Sequence, residues 1–347
     1  MMKTMFTLLC LLTFIGAEAQ ERTKEYVKTY PAEGLEELVL TGGNGTLELT
    51  QTEEKEIHME IAIRVSAKSM AKADEVLEKI RVREVRTGNY LELETVYDKE
   101  ASFQQFMAGF NMHVTCRMSV PKNIRVRIVH ANGGVYLGDF EGHLNVDLRN
   151  GDFKASSLKG GEFYIKHFKG DFSVGSVGVM SADFKDCTFV LDAAQEIRLE
   201  ASSCDGRLKS VDKLAVRSSG GTMKIGDVEA LTGSSSFTKY EVEMLGDYLD
   251  MGTKMGEMNI LNIQRMFTEI RLKSSFTKVG LNFPESAGYH LELTHNKSLK
   301  MDLPRTMMLE ERPAAVRNKT VGVKHVGNVK YTGKVLLDLS NGSLYIR

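Results

Sequence analysis

The sequence has no tryptophan, only five prolines in 347 residues, and a formal net charge of −1. Each shortage excludes something. Without Trp, one of the side chains most suited to stacking on sugars and bases is missing, although eleven tyrosines remain. With 45 basic residues against 46 acidic ones, no strong field draws in nucleic acid or an anionic surface, so no nucleic-acid partner is expected. Scarce proline leaves backbone N–H groups available for sheet ladders, and 31 glycines supply frequent turns. Past the first twenty residues no segment stays apolar for the ~18 residues of a membrane-spanning helix, so no transmembrane segment is expected. The strand-like segments are mostly about 4 to 6 residues long with charged outer positions, short of the ~9 to 11 that an outer-membrane barrel needs.

Catalytic signatures are missing as well. There is no Gly-x-Ser-x-Gly, HExxH, Walker loop or dinucleotide fingerprint. Gly42-Gly43-Asn44-Gly45 precedes a strand pattern and not a helix, so it lacks the helix N-terminus that would hold phosphate. Gly133-Gly134 is followed by Val135 and Tyr136, which does not make a calcium-binding nonapeptide. No Cys/His spacing suits zinc, and neither a metal nor a cofactor is expected. Beyond Cys10 the cysteines are Cys116, Cys187 and Cys204, an odd number. Cys187 and Cys204 are separated by close to one repeat length. Either they stack on adjacent coils and can pair, or they are two small buried residues.

What is present begins with an export signal at 1–19. Lys3 gives the positive start, Phe6 to Ile15 the apolar stretch, and Ala17-Glu18-Ala19 the cleavage site before Gln20. Residues 20–121 read as a β-rich cap. Ile57-His58-Met59-Glu60-Ile61-Ala62-Ile63 alternates like a strand, and Met70, Ala73, Leu77 and Ile80 are spaced as on a short amphipathic helix near 66–80, with Ser66 or Ser69 to cap it. The stretch 98–112, with Phe103, Phe106, Met107 and Phe110, breaks the strand rhythm and is expected to be an excursion.

From 122 to 283 apolar pairs recur at short, nearly even intervals, such as Val126/Ile128, Val135/Leu137, Phe163/Ile165, Leu214/Val216, Met223/Ile225 and Ile270/Leu272. A few intervals are nearer twice the usual one. Polar residues such as Asp147 and Lys224 lie between the apolar ones. Alternation puts one set inside and the other in solvent. Strands this short are not stable alone, but stacked coils bury a continuous core. The turns repeat a vocabulary: Asn-Gly at 44, 132, 150 and 341, Gly-Asp at 138, 151, 170, 226 and 246, and Ser-Ser-Phe-Thr-Lys at 235 and again at 274. Asn and Gly tolerate the positive φ of a sharp corner. The expected fold is therefore all-β, a β-solenoid of about 20 residues per coil. Residues 284–347 serve as C-terminal capping strands, Pro304 and Pro313 bracketing a loop and Lys334–Arg347 forming a final hairpin.

The run Asn132-Gly133-Gly134-Val135-Tyr136-Leu137-Gly138-Asp139-Phe140-Glu141-Gly142-His143-Leu144, with Val120-Pro121-Lys122-Asn123 before it and Asn150-Gly151-Asp152 after, resembles the bacterial envelope domain described as adhesin-like or as an auto-transporter adhesin head. The ending Asn341-Gly342-Ser343-Leu344-Tyr345-Ile346 is similar to how such chains finish. The resemblance covers most of the chain. It implies a single-stranded right-handed β-solenoid and a surface or periplasmic role, and it carries no catalytic residues, so no catalytic, cofactor or metal site is assigned. The expectation is a non-catalytic display or adhesion module contacting glycan, matrix or another envelope protein.

The alternative is a polysaccharide lyase or hydrolase on a β-helix. It would draw on Asp139, Asp152, Asp171, Asp227 and Asp247, with His130, His143 and His167 nearby. Each Asp follows a turn glycine, where it is expected to bond local backbone, and each His is expected to be a lone surface residue. Met244, Met251, Met255, Met258 and Met266 crowd one region and are expected to fill the core rather than bind copper(I) or form an interface.

Overall fold

The computed structural model describes residues 20–97, 110–316, 318–327 and 333–347. The expected signal peptide lies outside the described residues, as does most of the 98–112 stretch. Phe110 is described: it opens the strand Phe110–Pro121 and is buried.

The described chain is almost entirely β-strand, and its central pairings are parallel. Val126 lies between Leu38 and Leu144, and Leu144 pairs in turn with Phe163. A second segment does the same, Val135 lying between Leu47 and Phe153. Side-chain links show the repeat: Thr222 bonds Asp205 across 17 residues, Asn150 bonds Asn132 across 18 and Thr268 bonds Asp247 across 21. Each such stretch, here called a rung, lies on the one before it. Within a rung the first segment and the second belong to two strips of parallel sheet that meet at a corner.

That corner has one conformation throughout. Asn44, Asn132, Asn150, Lys169, Asp186, Ser203, Gly220, Phe237, Met255, Phe276 and Asn341 all adopt positive φ and form a single column along the molecule. The run Phe153–Ser236, 84 residues of unbroken strand character, would span about 280 Å if straight. Four of these corner residues, with Gly160 and Gly233, bend it rung onto rung. The residue after the corner must be small where the next rung comes close: a Cβ on Gly151 would sit 1.7 Å from the carbonyl oxygen of Gly133.

The alternating pairs read from the sequence are the core. Val126, Ile128, Val135, Leu144, Val146, Ile165, Leu214, Ile225, Leu249, Ile270 and Leu281 are all buried, while Lys224 is exposed. The wider gaps in that pattern are also strand, with smaller or less regular inward residues such as Ala182, Ala201 and Ser218. Phenylalanines pack from rung to rung, Phe153 stacked on Phe172 with ring centroids 5.0 Å apart and Phe184 tilted against Phe172 at 4.7 Å. The methionine group divides. Met251 and Met258 fill the core as expected, but Met255 and Met266 are exposed.

At both ends the order along the chain and the order in the sheet part company. Glu37–Gly43 lies between Tyr90–Tyr97 and Arg125–Ala131, so an early segment sits inside a later one. Outside the stack, Gln20–Pro31 pairs antiparallel with Glu56–Ala67, which pairs antiparallel with Phe110–Pro121. The helix Met70–Glu78 packs on the first two, burying Ala73, Val76 and Leu77, and the Ser69 hydroxyl caps it by accepting from the Lys72 N–H at 3.3 Å. At the other end Gly333–Ser340 lies between Glu269–Ser275 and Tyr289–Asn296. The expected final hairpin is not formed. Gly333–Ser340 and Ser343–Ile346 both pair in parallel with other rungs, because Asn341-Gly342 makes the common corner and not a hairpin turn.

Candidate functional site

The sequence-derived carboxylates do not converge. Asp139 accepts from the Ser157 hydroxyl at 2.9 Å, Asp152 from the Asp171 N–H at 3.1 Å, Asp171 from the Thr188 hydroxyl, and Asp247 from the Thr268 N–H at 2.9 Å. Each bond crosses to the next rung, whereas bonds to adjacent backbone were expected. Asp227 is exposed on the strand run Phe153–Ser236. Among the described residues no three His, Cys, Asp or Glu side chains gather as metal ligands would.

The histidines are not alike. His143 is exposed, as expected, and its Nδ1 accepts from the Glu162 N–H at 3.4 Å. His130 and His167, expected on the surface, are buried. Both sit two residues before a corner and bond through Nε2 to the carbonyl of the residue after the corner one rung earlier, Gly45 at 3.0 Å and Gly151 at 2.7 Å. Burial lowers both pKa values, opposed by those same backbone bonds. The neutral rings therefore serve as inward pegs that satisfy corner carbonyls. The spacing of the three histidines along the chain gave no signal for this, because the relevant measure is distance to the corner.

Cys187 and Cys204 each follow a corner residue, on successive rungs, and their sulfurs are 3.3 Å apart. Their mutual hydrogen bond raises the Cys187 thiol pKa and lowers that of Cys204. Both sequence readings hold at once: the residues are buried, and they are stacked on neighbouring rungs. Burial pushes Cys116 up to about 12, the setting of an unreactive thiol.

What the fold does assemble is a surface. Three shallow troughs follow one another along the first strip, with volumes of about 410, 460 and 370 Å³. Tyr164 is common to the first and second, Ser234 to the second and third. They form one open channel crossing the rungs. Its walls are alternating outward side chains, Arg125, Arg127 and Glu162 near one end and Lys166, Asp183, Arg198 and Arg217 in the middle. Some of these charges are paired along the surface, Arg198 with Glu196 and Arg217 with Glu200, both at 2.9 Å. Nearer the other end the wall changes to Ser234, Ser275 and Ser340 with Lys254 and Lys273. The alternation in the sequence placed these residues outside. It could not show that they line one channel, since that depends on which strip each rung adds to.

Comparison with known proteins adds remote likenesses. No protein-family model matches the sequence, and no curated protein matches it. Among solved structures, a candidate cell adhesion protein from Clostridium sporogenes is 13% identical with a TM-score of 0.23, over 94% of this chain and 99% of that one. A candidate adhesin from Parabacteroides merdae is 10% identical with a TM-score of 0.36, over 74% of this chain and 96% of that one. A candidate lipid-binding protein from Parabacteroides distasonis is 12% identical with a TM-score of 0.35, over 67% and 94%.

Proposed function

We propose that the chain is a non-catalytic, exported envelope protein, an adhesin-like module in which a right-handed single-stranded β-solenoid presents one long channel to an extended ligand. The segments 20–121 and 284–347 close the ends of the solenoid and remove its exposed edges. Export rests on the signal pattern that ends at Ala17-Glu18-Ala19. The observation that carries the binding role is the run of three connected troughs on one strip. A rigid parallel stack repeats its outward side chains every ~4.8 Å. Many weak contacts at fixed spacing suit a polymer with its own repeat. The ligand class is a glycan, an extended matrix chain or another envelope protein.

An enzyme needs its carboxylates to meet over one bond, within about 10 Å even for the wider glycosidase geometry. Here the Asp series instead ties rung to rung through Ser, Thr and backbone partners. A polysaccharide panel separates the two readings. Binding of a polymer with no new reducing ends or unsaturated uronates supports the module. Turnover that disappears in Asp152→Asn or Asp171→Asn overturns it.

A further inference from the structure

The corner column holds residues that its backbone does not favour. Phe237, Met255 and Phe276 occupy it on successive rungs at φ 55, 53 and 54°, a region that bulky side chains rarely adopt. The order is fixed by backbone bonds, Phe237 N–H to the Lys254 carbonyl and Met255 N–H to that of Ser275. All three point to solvent, with 62, 40 and 57% of their surface exposed. Around them the repeated Ser-Ser-Phe-Thr-Lys motif turns other members inward. Ser235, Thr238, Ser274 and Thr277 are buried, and Thr238 and Thr277 bond the Ser218 and Thr253 hydroxyls of earlier rungs. The motif thus fixes each phenylalanine outward. Since Asn serves the same corner on other rungs, the fold does not need an aromatic there.

Beside this ridge lies the last trough of the channel, and its surroundings narrow the partner. Its floor is small and hydroxylated, Ser234, Gly252, Ser275 and Ser340. Asp338, which also lines it, is paired with Lys319. Lys254 and Lys273 are exposed on it, and neither forms a salt bridge among the described residues. Two rings two rungs apart, about 10 Å, offer apolar faces to alternate units of an extended chain. A second copy of the protein is a poor occupant, because three side chains cover roughly 300 Å² against the ~800 Å² per partner of a stable interface. A lipid surface would meet the ridge but has no use for a hydroxyl-lined floor.

We infer that this corner is the specificity end of the channel and takes an acidic polysaccharide, with sugar faces packed on Phe237, Met255 and Phe276, sugar hydroxyls on the serine floor, and carboxylates or sulfates on Lys254 and Lys273. The inference rests on the channel being a polymer-binding surface. The test measures binding of the full chain to polygalacturonate, to neutral dextran, and to vesicles of phosphatidylcholine with phosphatidylglycerol. Polygalacturonate should bind most tightly. Phe237→Asn with Phe276→Asn should weaken it by ~10-fold or more while raising the melting temperature, since Asn suits the corner. Lys254→Gln with Lys273→Gln should remove the preference over dextran. Binding that survives the double Asn variant but is lost in Lys166→Ser with Arg198→Ser keeps the channel and overturns the ridge. Failure of both polysaccharides to bind overturns the inference and leaves the channel to an extended protein chain. Ridge-dependent binding to vesicles with none to polygalacturonate replaces the glycan with a membrane.

Discussion

The corner column shows the same backbone problem met in two ways. At Asn44, Asn132 and Asn150 the left-handed turn is filled by the residue best suited to it, and the amides link into a ladder, Asn132 Nδ2 to Asn44 Oδ1 at 3.3 Å and Asn150 Nδ2 to Asn132 Oδ1 at 3.2 Å. At Phe237, Met255 and Phe276 the same turn is filled by side chains that strain it and have no polar group with which to form such a ladder. The first stretch shows what stability alone selects. The second departs from it while leaving large apolar groups in water, and such departures mark places where something other than folding sets the residue.

The largest effect should come from crowding the first stretch. Gly151→Val puts a side chain where a Cβ already meets the Gly133 carbonyl, and should cost at least ~3 kcal/mol in chemical denaturation. Little change would mean that the rungs are looser than their spacing shows. Between the two stretches, treating the folded protein with glutathione disulfide should join Cys187 to Cys204, releasing two reduced glutathiones. Adjacent parallel strands lie within the Cα separation a disulfide needs, so the link should add up to about 3 kcal/mol. Thiol titration under denaturing conditions should then lose both groups and keep Cys116. Persistence of the Cys187 and Cys204 thiols would contradict the stacking.

Bringing the second stretch's chemistry into the first is the next step down. Asn150→Phe should cost about 2 kcal/mol, from backbone strain and the lost amide bond. The buried histidines add a pH dependence to the first stretch. Burial lowers their folded pKa below the ordinary 6.5, so the unfolded chain takes up protons first as pH falls. Stability is full above about 6.5 and is lost below it, by at most ~1.4 kcal/mol per pH unit for each histidine. His167→Phe should flatten that slope by one proton; an unchanged slope would place the titration elsewhere. The smallest effect runs the other way. Phe237→Asn should raise stability by about 1 kcal/mol, and a loss would show that the aromatic supports the fold.

Much of this was legible in the sequence because a period of two is hard to hide. Val146 and Ile225 are inside and Lys224 is outside, as the alternation requires. The helix near 66–80 appears at Met70–Glu78, capped by Ser69, because cap and spacing agree locally. The failures share one cause. Whether His167 is buried, whether Met255 is exposed, and whether Asn341-Gly342 makes a hairpin or a corner all depend on the position of a residue within its rung. The rungs vary between 17 and 21 residues, so that position cannot be counted off from one end. The channel was hidden for the same reason, whereas the repeated Ser-Ser-Phe-Thr-Lys motif was visible as a repeat but silent about which of its members faces water.

The segment Gly333–Ser340 enters the sheet between two strands that precede it in the chain. Without it, Glu269–Ser275 and Tyr289–Asn296 would stand one strand apart, each presenting a row of unpaired N–H and C=O groups across the opening. Its insertion completes both ladders in a single event, as a keystone completes an arch. The inner course thus comes last in the chain, and a chain halted before residue 333 would hold an open slot shaped for a strand from a neighbour.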